Sequence, residues 1–275
     1  MYSNNKRQNK TVLITGASSG IGLETAKMFS TQGWNVVATM RNPDSNILPQ
    51  SNVLCLPLDV TRSETIEPVI TTAIAKFGAI DVLINNAGYA LIGAFEACMP
   101  EEIERQFATN VFGLMAVTRA ILPHFRGRRQ GVIVNVASIG GKMTFPLYSP
   151  YHATKWAVEG FSESLQYELR PFNIKVKIIE PGPIKTDFYN RSMSVAKKPE
   201  LTDYENYISK TLPQIQQPGI GSPPGVTAKV IYRAVTDNSW KLRYPAGGNA
   251  GFLLTLRALL PDALFQAMIR AGVER

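Results

Sequence analysis

A chain of 275 residues, 45% hydrophobic and 18% charged, has the make-up of a soluble globular protein with a sizeable core, as one large α/β domain or two small ones. Its formal net charge of +8 draws on Lys6, Arg7 and Lys10 and on the run 124–129, but no nucleic-acid motif accompanies it; the cations suit a polar tail and a helix C-terminus, and would attract a polyphosphate cofactor. Cys55 and Cys98 stand in no metal or redox spacing, and the polar N-terminus lacks the apolar run of a signal peptide, so a cytoplasmic protein without a metal site is expected.

Short runs rich in Val, Ile and Leu alternate along the chain with longer amphipathic stretches. Strands are predicted at 11–15, 34–39, 53–57, 81–84, 131–136 and 174–179. Helices are predicted at about 20–32, 63–77, 100–125 and 149–170, the last stopped by Pro171. Strands apolar throughout and joined by helices imply a parallel sheet covered on both faces, an α/β doubly wound fold of Rossmann type in a single domain. Residues 1–9 read as a flexible tail. Regularity fails over 185–224, where Pro199, Pro213, Pro218, Pro223 and Pro224 stand among polar residues; a connection this long in a compact domain is expected to be a substrate lid with short helices. The apolar stretch 251–260 is interrupted by Arg257 and followed by Pro261 and Asp262, too short and too charged to span a bilayer. A packed helix or an oligomer contact is expected there, with attachment to a membrane surface as an alternative.

The motifs sit at the carboxyl ends of the predicted strands, where open α/β sheets bind ligands. After the first strand, Gly16, Ser18, Ser19, Gly20, Ile21 and Gly22 form a glycine turn opening into a helix; glycines let the backbone approach a pyrophosphate held at the helix N-terminus. At the end of the second strand an NAD site would favour an acid for the ribose 2′-hydroxyl. The chain has Ala38-Thr39-Met40-Arg41 instead, and a guanidinium can pair with a 2′-phosphate, so NADP(H) is expected over NAD(H). Asp59 and Val60 follow the third strand, and Asn86, Ala87 and Gly88 the fourth. Farther on, Ser138 precedes Tyr151-His152-Ala153-Thr154-Lys155. On a helix, Tyr151 and Lys155 share a face. A free tyrosine has a pKa of about 10, which a neighbouring cation lowers, so Tyr151 becomes usable in proton transfer. His124 and His152 are the only histidines and are read as structural.

Taken in order, these segments, with Asn110 and Pro181-Gly182-Pro183-Ile184-Lys185-Thr186, resemble the classical short-chain dehydrogenase/reductase family over about residues 11–186. The resemblance implies that Tyr151 is the general acid for carbonyl reduction and the base for alcohol oxidation. It makes Lys155 the partner that tunes Tyr151 and a donor to the nicotinamide ribose. Ser138 would hold the reacting oxygen, and Asn110 would position a water leading from Lys155 toward solvent. Asp59 and Val60 would bracket the adenine, Asn86 to Gly88 the adenosine side, and the segment with Pro181, Gly182, Ile184 and Thr186 the nicotinamide carboxamide. The family commonly pairs through its two long helices, so a homodimer or homotetramer is expected.

Candidate walls for a substrate pocket are Tyr89, Leu91, Ile92, Phe95, Met143, Phe145, Leu147, Tyr148, Phe188, Tyr189 and Met193. They suit an apolar or aromatic ketone, aldehyde or secondary alcohol. The stretch 241–245 and the apolar helix after it look similar to members related to 17β-hydroxysteroid and retinol dehydrogenases. The expected activity is hydride transfer between NADP(H) and such a small-molecule carbonyl or alcohol. The alternative is a catalytically idle NADP-binding redox sensor or interaction module.

Overall fold

The computed structural model describes residues 9–185, 193–196, 198, 200–215 and 221–273. A seven-stranded sheet is built from β1 (Thr11–Thr15), β2 (Asn35–Met40), β3 (Val53–Pro57), β4 (Val82–Asn85), β6 (Gly131–Val136), β7 (Ile174–Pro181) and β9 (Arg243–Ala246). The strands run in the order β3-β2-β1-β4-β6-β7-β9 and every pairing is parallel. The chain leaves β1 for one side of the sheet, then crosses back to β4 on the other. That reversal opens a crevice at the carboxyl ends of β1 and β4.

Alternation along each strand divides the core into two layers. Val12, Ile14, Val36 and Ala38 face α1 (Gly20–Thr31) and α7 (Pro224–Thr236), packing with Phe29 and Ile231. Leu13 and Val37 face the opposite layer, where Val69 and Ile70 of α2 (Ile66–Phe77), Ile121 and Phe125 of α4 (Leu114–Arg128) and Leu165 of α5 (Ser149–Leu169) close over them. These strands are buried on both faces, which is why they read as unbroken apolar runs.

The structure departs from expectation in three places. The helix expected over 100–125 is α3 (Pro100–Phe107) and α4, joined by a π-helical segment, Ala108–Gly113, in the middle of which Asn110 sits. A short strand, β9, extends the sheet beyond β7, although Pro245 within it weakens the strand signal. A second, two-stranded parallel sheet joins β5 (Ala90–Ile92) to β8 (Met193–Val195) and ties part of the 185–224 connection to the edge of the crevice. That connection also contains α6 (Glu205–Ile215). The apolar C-terminal stretch forms α8 (Ala250–Leu259), which packs with α9 (Asp262–Val273) against Ile139 and Met143. Among the described residues no helix is long and apolar enough to cross a membrane.

Candidate active site

The glycine turn is shaped by close approach. Gly16 and Gly20 have φ of +67° and +55°, the left-handed region that glycine enters without strain. A Cβ on Gly22 would lie 2.2 Å from the Gly16 carbonyl oxygen and 2.5 Å from Asn86 Nδ2, so the first turn of α1 seats directly on the loop. Asn86 locks this turn: its Nδ2 donates to the carbonyls of Thr15 at 3.0 Å and Gly16 at 2.9 Å, while the amides of Asn86 and Ala87 donate to Thr15 Oγ1. The result is a fixed concavity at the N-terminus of α1, suited to a phosphate.

Arg41 lies exposed just past β2, and Asp59 lies past the neighbouring β3. Burial would raise the Asp59 carboxyl, but hydrogen bonds from the Thr61 hydroxyl (2.7 Å) and amide (3.0 Å), with Arg41 and Arg62 nearby, hold it below the usual carboxylate range. Asp59 is therefore a charged neighbour of Arg41.

At the other end of the crevice, Ser138 follows β6 and caps the short turn Ile139–Gly141, its Oγ accepting from the Gly140 amide at 3.0 Å. Tyr151 and Lys155 project from the first turns of α5. The buried Lys155 ammonium donates to the Val136 carbonyl at 3.0 Å and lies 5.7 Å from the centre of the Tyr151 ring. Burial pushes the Lys155 pKa down to about 8, against the opposing field of Glu159. Asn110 is buried in the π segment. Its Oδ1 accepts from the Tyr89 amide, and its Nδ2 donates to the Tyr89 carbonyl and Thr154 Oγ1, at 2.8–3.1 Å. It thus fastens the helix to the loop after β4 and to the turn between Tyr151 and Lys155.

One cleft of about 1100 Å³ joins these groups, from Arg41 and Asp59 past Gly16 and Gly88 to Ser138, Tyr151, Lys155 and Ile184. Ser18, Ser19, Gly20, Ile21, Val60, Asn86, Ala87, Pro181 and Gly182 also line it. Gly22 and Asn110 stand behind its wall, and Thr186 lies outside the described residues. Of the expected substrate walls, Tyr89, Leu91, Phe145, Tyr148 and Met193 face the cleft. Ile92 is buried behind that wall, packed with Tyr148, Phe145 and Met193; Leu147 is buried but does not line the cleft, Met143 packs toward Phe265, and Phe95 is exposed outside; Phe188 and Tyr189 lie outside the described residues. Gln214 of α6 and Leu253 of α8 also reach the cleft, and no local pattern announces either.

Behind Lys155 lies a buried charge cluster. Glu159 accepts from Arg243 Nε at 3.0 Å, with Lys142 at 3.8 Å, and Glu180 lies 3.8 Å from Arg243. The Glu180 pKa is pushed up to about 7 by burial first and by Glu159 second, while Arg243 and Lys142 pull the other way. A raised carboxyl pKa contributes stability that is full below the unfolded value of 4.5 and lost as pH rises through about 7. Glu180→Gln should therefore gain stability relative to the parent by on the order of 1–3 kcal/mol between pH 5 and pH 8, read from urea midpoints. A difference constant with pH would refute the shift.

Both histidines hold structure. His124 Nε2 lies 3.1 Å from the Ile80 amide, anchoring α4 to the start of β4. His152 bonds to Gly140 and Phe145, and burial pushes its pKa down to about 4, against a raising bond from Gly140.

A doubly wound parallel sheet with a glycine turn at its switch point defines a nucleotide-binding protein of Rossmann type. Residues 10–196 match the family described as short chain dehydrogenase, and the chain belongs to that family of oxidoreductases. It is 38% identical over 270 residues to a 3-ketodihydrosphingosine reductase of Bacteroides thetaiotaomicron, covering 96% of this chain and 97% of that one. A short-chain dehydrogenase from Streptomyces avermitilis is similar in structure, with a TM-score of 0.82, 35% identity and 94% of each chain covered. Two further structures carry cofactors, each 28% identical over 86% of this chain. One is a 3-ketoacyl-(acyl-carrier-protein) reductase from Brucella melitensis complexed with NADH, with a TM-score of 0.70 and 96% of that chain covered. The other is a serine dehydrogenase in closed form complexed with NADP+, with a TM-score of 0.73 and 94% covered.

Proposed function

We propose that the protein is an NADP(H)-dependent reductase of apolar carbonyl compounds, working in reverse on secondary alcohols. The observation that carries this reading is the single cleft joining a phosphate-sized glycine turn to Ser138, Tyr151 and Lys155. The residues present fit a dinucleotide: side chains are excluded at Gly16 and Gly22, and the cleft is continuous over its whole length. Gly16 to Gly22 would hold the pyrophosphate, Arg41 the 2′-phosphate, Asp59 and Val60 the adenine, and Asn86 to Gly88 the adenosine side. Lys155, Pro181, Gly182, Ile184 and Thr186 would hold the nicotinamide end. When bound, the cofactor supplies or accepts the hydride.

The chain's own groups manage the oxygen and its proton. Charge develops on the carbonyl oxygen as it is reduced, and the hydroxyls of Ser138 and Tyr151 stabilise it by hydrogen bonding. Tyr151 then gives its phenolic proton to that oxygen. The Lys155 cation beside the ring stabilises the resulting phenolate. Asn110, bonded to Tyr89 and Thr154, keeps α5 and the loop after β4 in register around the reacting atoms, and would position the water leading from Lys155 toward solvent.

Leu91, Phe145, Tyr148, Met193 and Leu253 make the substrate end apolar, which favours a hydrocarbon-bearing ketone or aldehyde. The similarity to a reductase of 3-ketodihydrosphingosine supports the same direction. Met193, Ser194 and Gln214 bring the 185–224 connection to the cleft, which supports its reading as a lid. A screen of NADPH oxidation across long-chain, aromatic and polycyclic carbonyls, with Tyr151→Phe as the blank, tests the proposal. Absence of any Tyr151-dependent turnover would remove it.

The exposed Phe112, Trp156 and Tyr167 lie on the π segment and α5, and support pairing through these long helices. A dimer or tetramer is expected by light scattering, and a monomer at micromolar concentration would overturn that assembly.

A further inference from the structure

We propose that His152 is a positioning residue for the reaction: its neutral ring ties the turn that carries Ser138 to the apolar wall of the substrate pocket, and so aims the Ser138 hydroxyl. The inference rests on the carbonyl-reductase reading.

The hydrogen bonds fix the ring's state. The Phe145 amide donates to Nε2 at 2.9 Å, so that nitrogen presents its lone pair. Nδ1 must then carry the hydrogen, and it donates to the Gly140 carbonyl at 2.9 Å. Both bonds form together only in this neutral tautomer; a second hydrogen on Nε2 would oppose the Phe145 N–H. Burial, which keeps the ring uncharged through the neutral range, agrees with this arrangement.

Gly140 transmits the constraint. Its carbonyl is held by His152 while its amide donates to Ser138 Oγ at 3.0 Å. One acceptor position on Ser138 is thereby occupied, and the hydroxyl hydrogen remains for a substrate oxygen. A Cβ on Gly140 would sit 2.7 Å from His152 Nδ1 and 3.3 Å from Ser138 Oγ, so the approach depends on glycine. The imidazole also packs among Tyr148, Tyr151 and Phe145, with ring centres 5.6, 5.8 and 5.9 Å away. One side chain thus couples the oxygen clamp, the proton donor's ring and the pocket wall.

A double-mutant cycle tests the assignment. His152→Phe keeps an aromatic ring among its neighbours but removes both hydrogen bonds. It should lower kcat/KM at least about tenfold while leaving the NADPH Kd within about twofold. Ser138→Ala should lower it further, and adding His152→Phe to that variant should cost less than about twofold more, because the group being aimed is already gone. His152→Asn, which retains a donor toward Gly140, should recover part of the loss. Additive losses, undiminished activity in His152→Phe, or loss of NADPH binding in both His152 variants would each make His152 a packing residue and overturn the proposal. A parent enzyme inactive toward every carbonyl would remove the reductase reading and this inference together. An active parent with additive losses would remove this inference alone.

Discussion

Tyr151→Phe is expected to lower carbonyl turnover by about 10²–10⁴-fold, the range for removing a general acid, while NADPH binding stays within about threefold. The substitution deletes one oxygen and leaves the ring, which packs at 5.9 Å from Tyr148 and 5.8 Å from His152 and lies beneath the Lys155 cation. Lys155 keeps its bond to the Val136 carbonyl, so the cofactor side of the cleft is undisturbed. What disappears is the proton that balances hydride addition, and the loss should fall on kcat rather than KM. Stopped-flow oxidation of NADPH with a saturating ketone, beside fluorescence titration of the cofactor, separates the two. Undiminished turnover would remove Tyr151 from the chemistry. A parent protein that binds NADPH tightly yet reduces no carbonyl would favour an idle sensor, for which a buried lysine beside this tyrosine serves no purpose.

The sheet and most of the cleft were legible in the sequence because both rest on local signals. Val12, Leu13 and Ile14 face alternate layers yet are all buried, so the strand shows as a run of apolar residues without any tertiary information. The glycine turn and the Tyr151–Lys155 pair are likewise set by spacing along one chain segment. Features built by distant segments were not legible. The π segment exists where Asn110 turns from its own helix to bond Tyr89, 21 positions earlier, and helical periodicity cannot register that capture. Leu253 enters the cleft only because α8 packs against the turn after β6. β9 is only four residues long, one of them a proline, and it becomes a strand because β7 offers an unpaired edge. His152 gave no sign of its role, since its partners are backbone groups of Gly140 and Phe145, which carry no side-chain signature.

Arg41→Asp is expected to shift the NADPH-to-NADH ratio of kcat/KM by about 10²–10³-fold toward NADH. Removing a charge-assisted pair with the 2′-phosphate costs about 1.5–3 kcal/mol, and each 1.4 kcal/mol is about tenfold. The new carboxylate adds repulsion of that phosphate and can accept from the free 2′-hydroxyl of NADH. Asp59 sharpens the effect: its carboxyl lies below the usual range partly through Arg41, so at neutral pH it stays charged and loses a compensating cation in the variant. Arg41→Ala separates the two contributions, since it removes attraction without adding an acid, and should shift the ratio by about 10–10²-fold, less than Arg41→Asp. Arg62 is the other cation beside Asp59, but its guanidinium is engaged by Glu64 at 2.8 Å and most of its side chain is exposed. Similar folds hold either NADH or NADP+, so the sheet does not fix the choice. A ratio unchanged in Arg41→Asp would transfer phosphate recognition from Arg41 to another group, with Arg62→Ala as the next variant to measure.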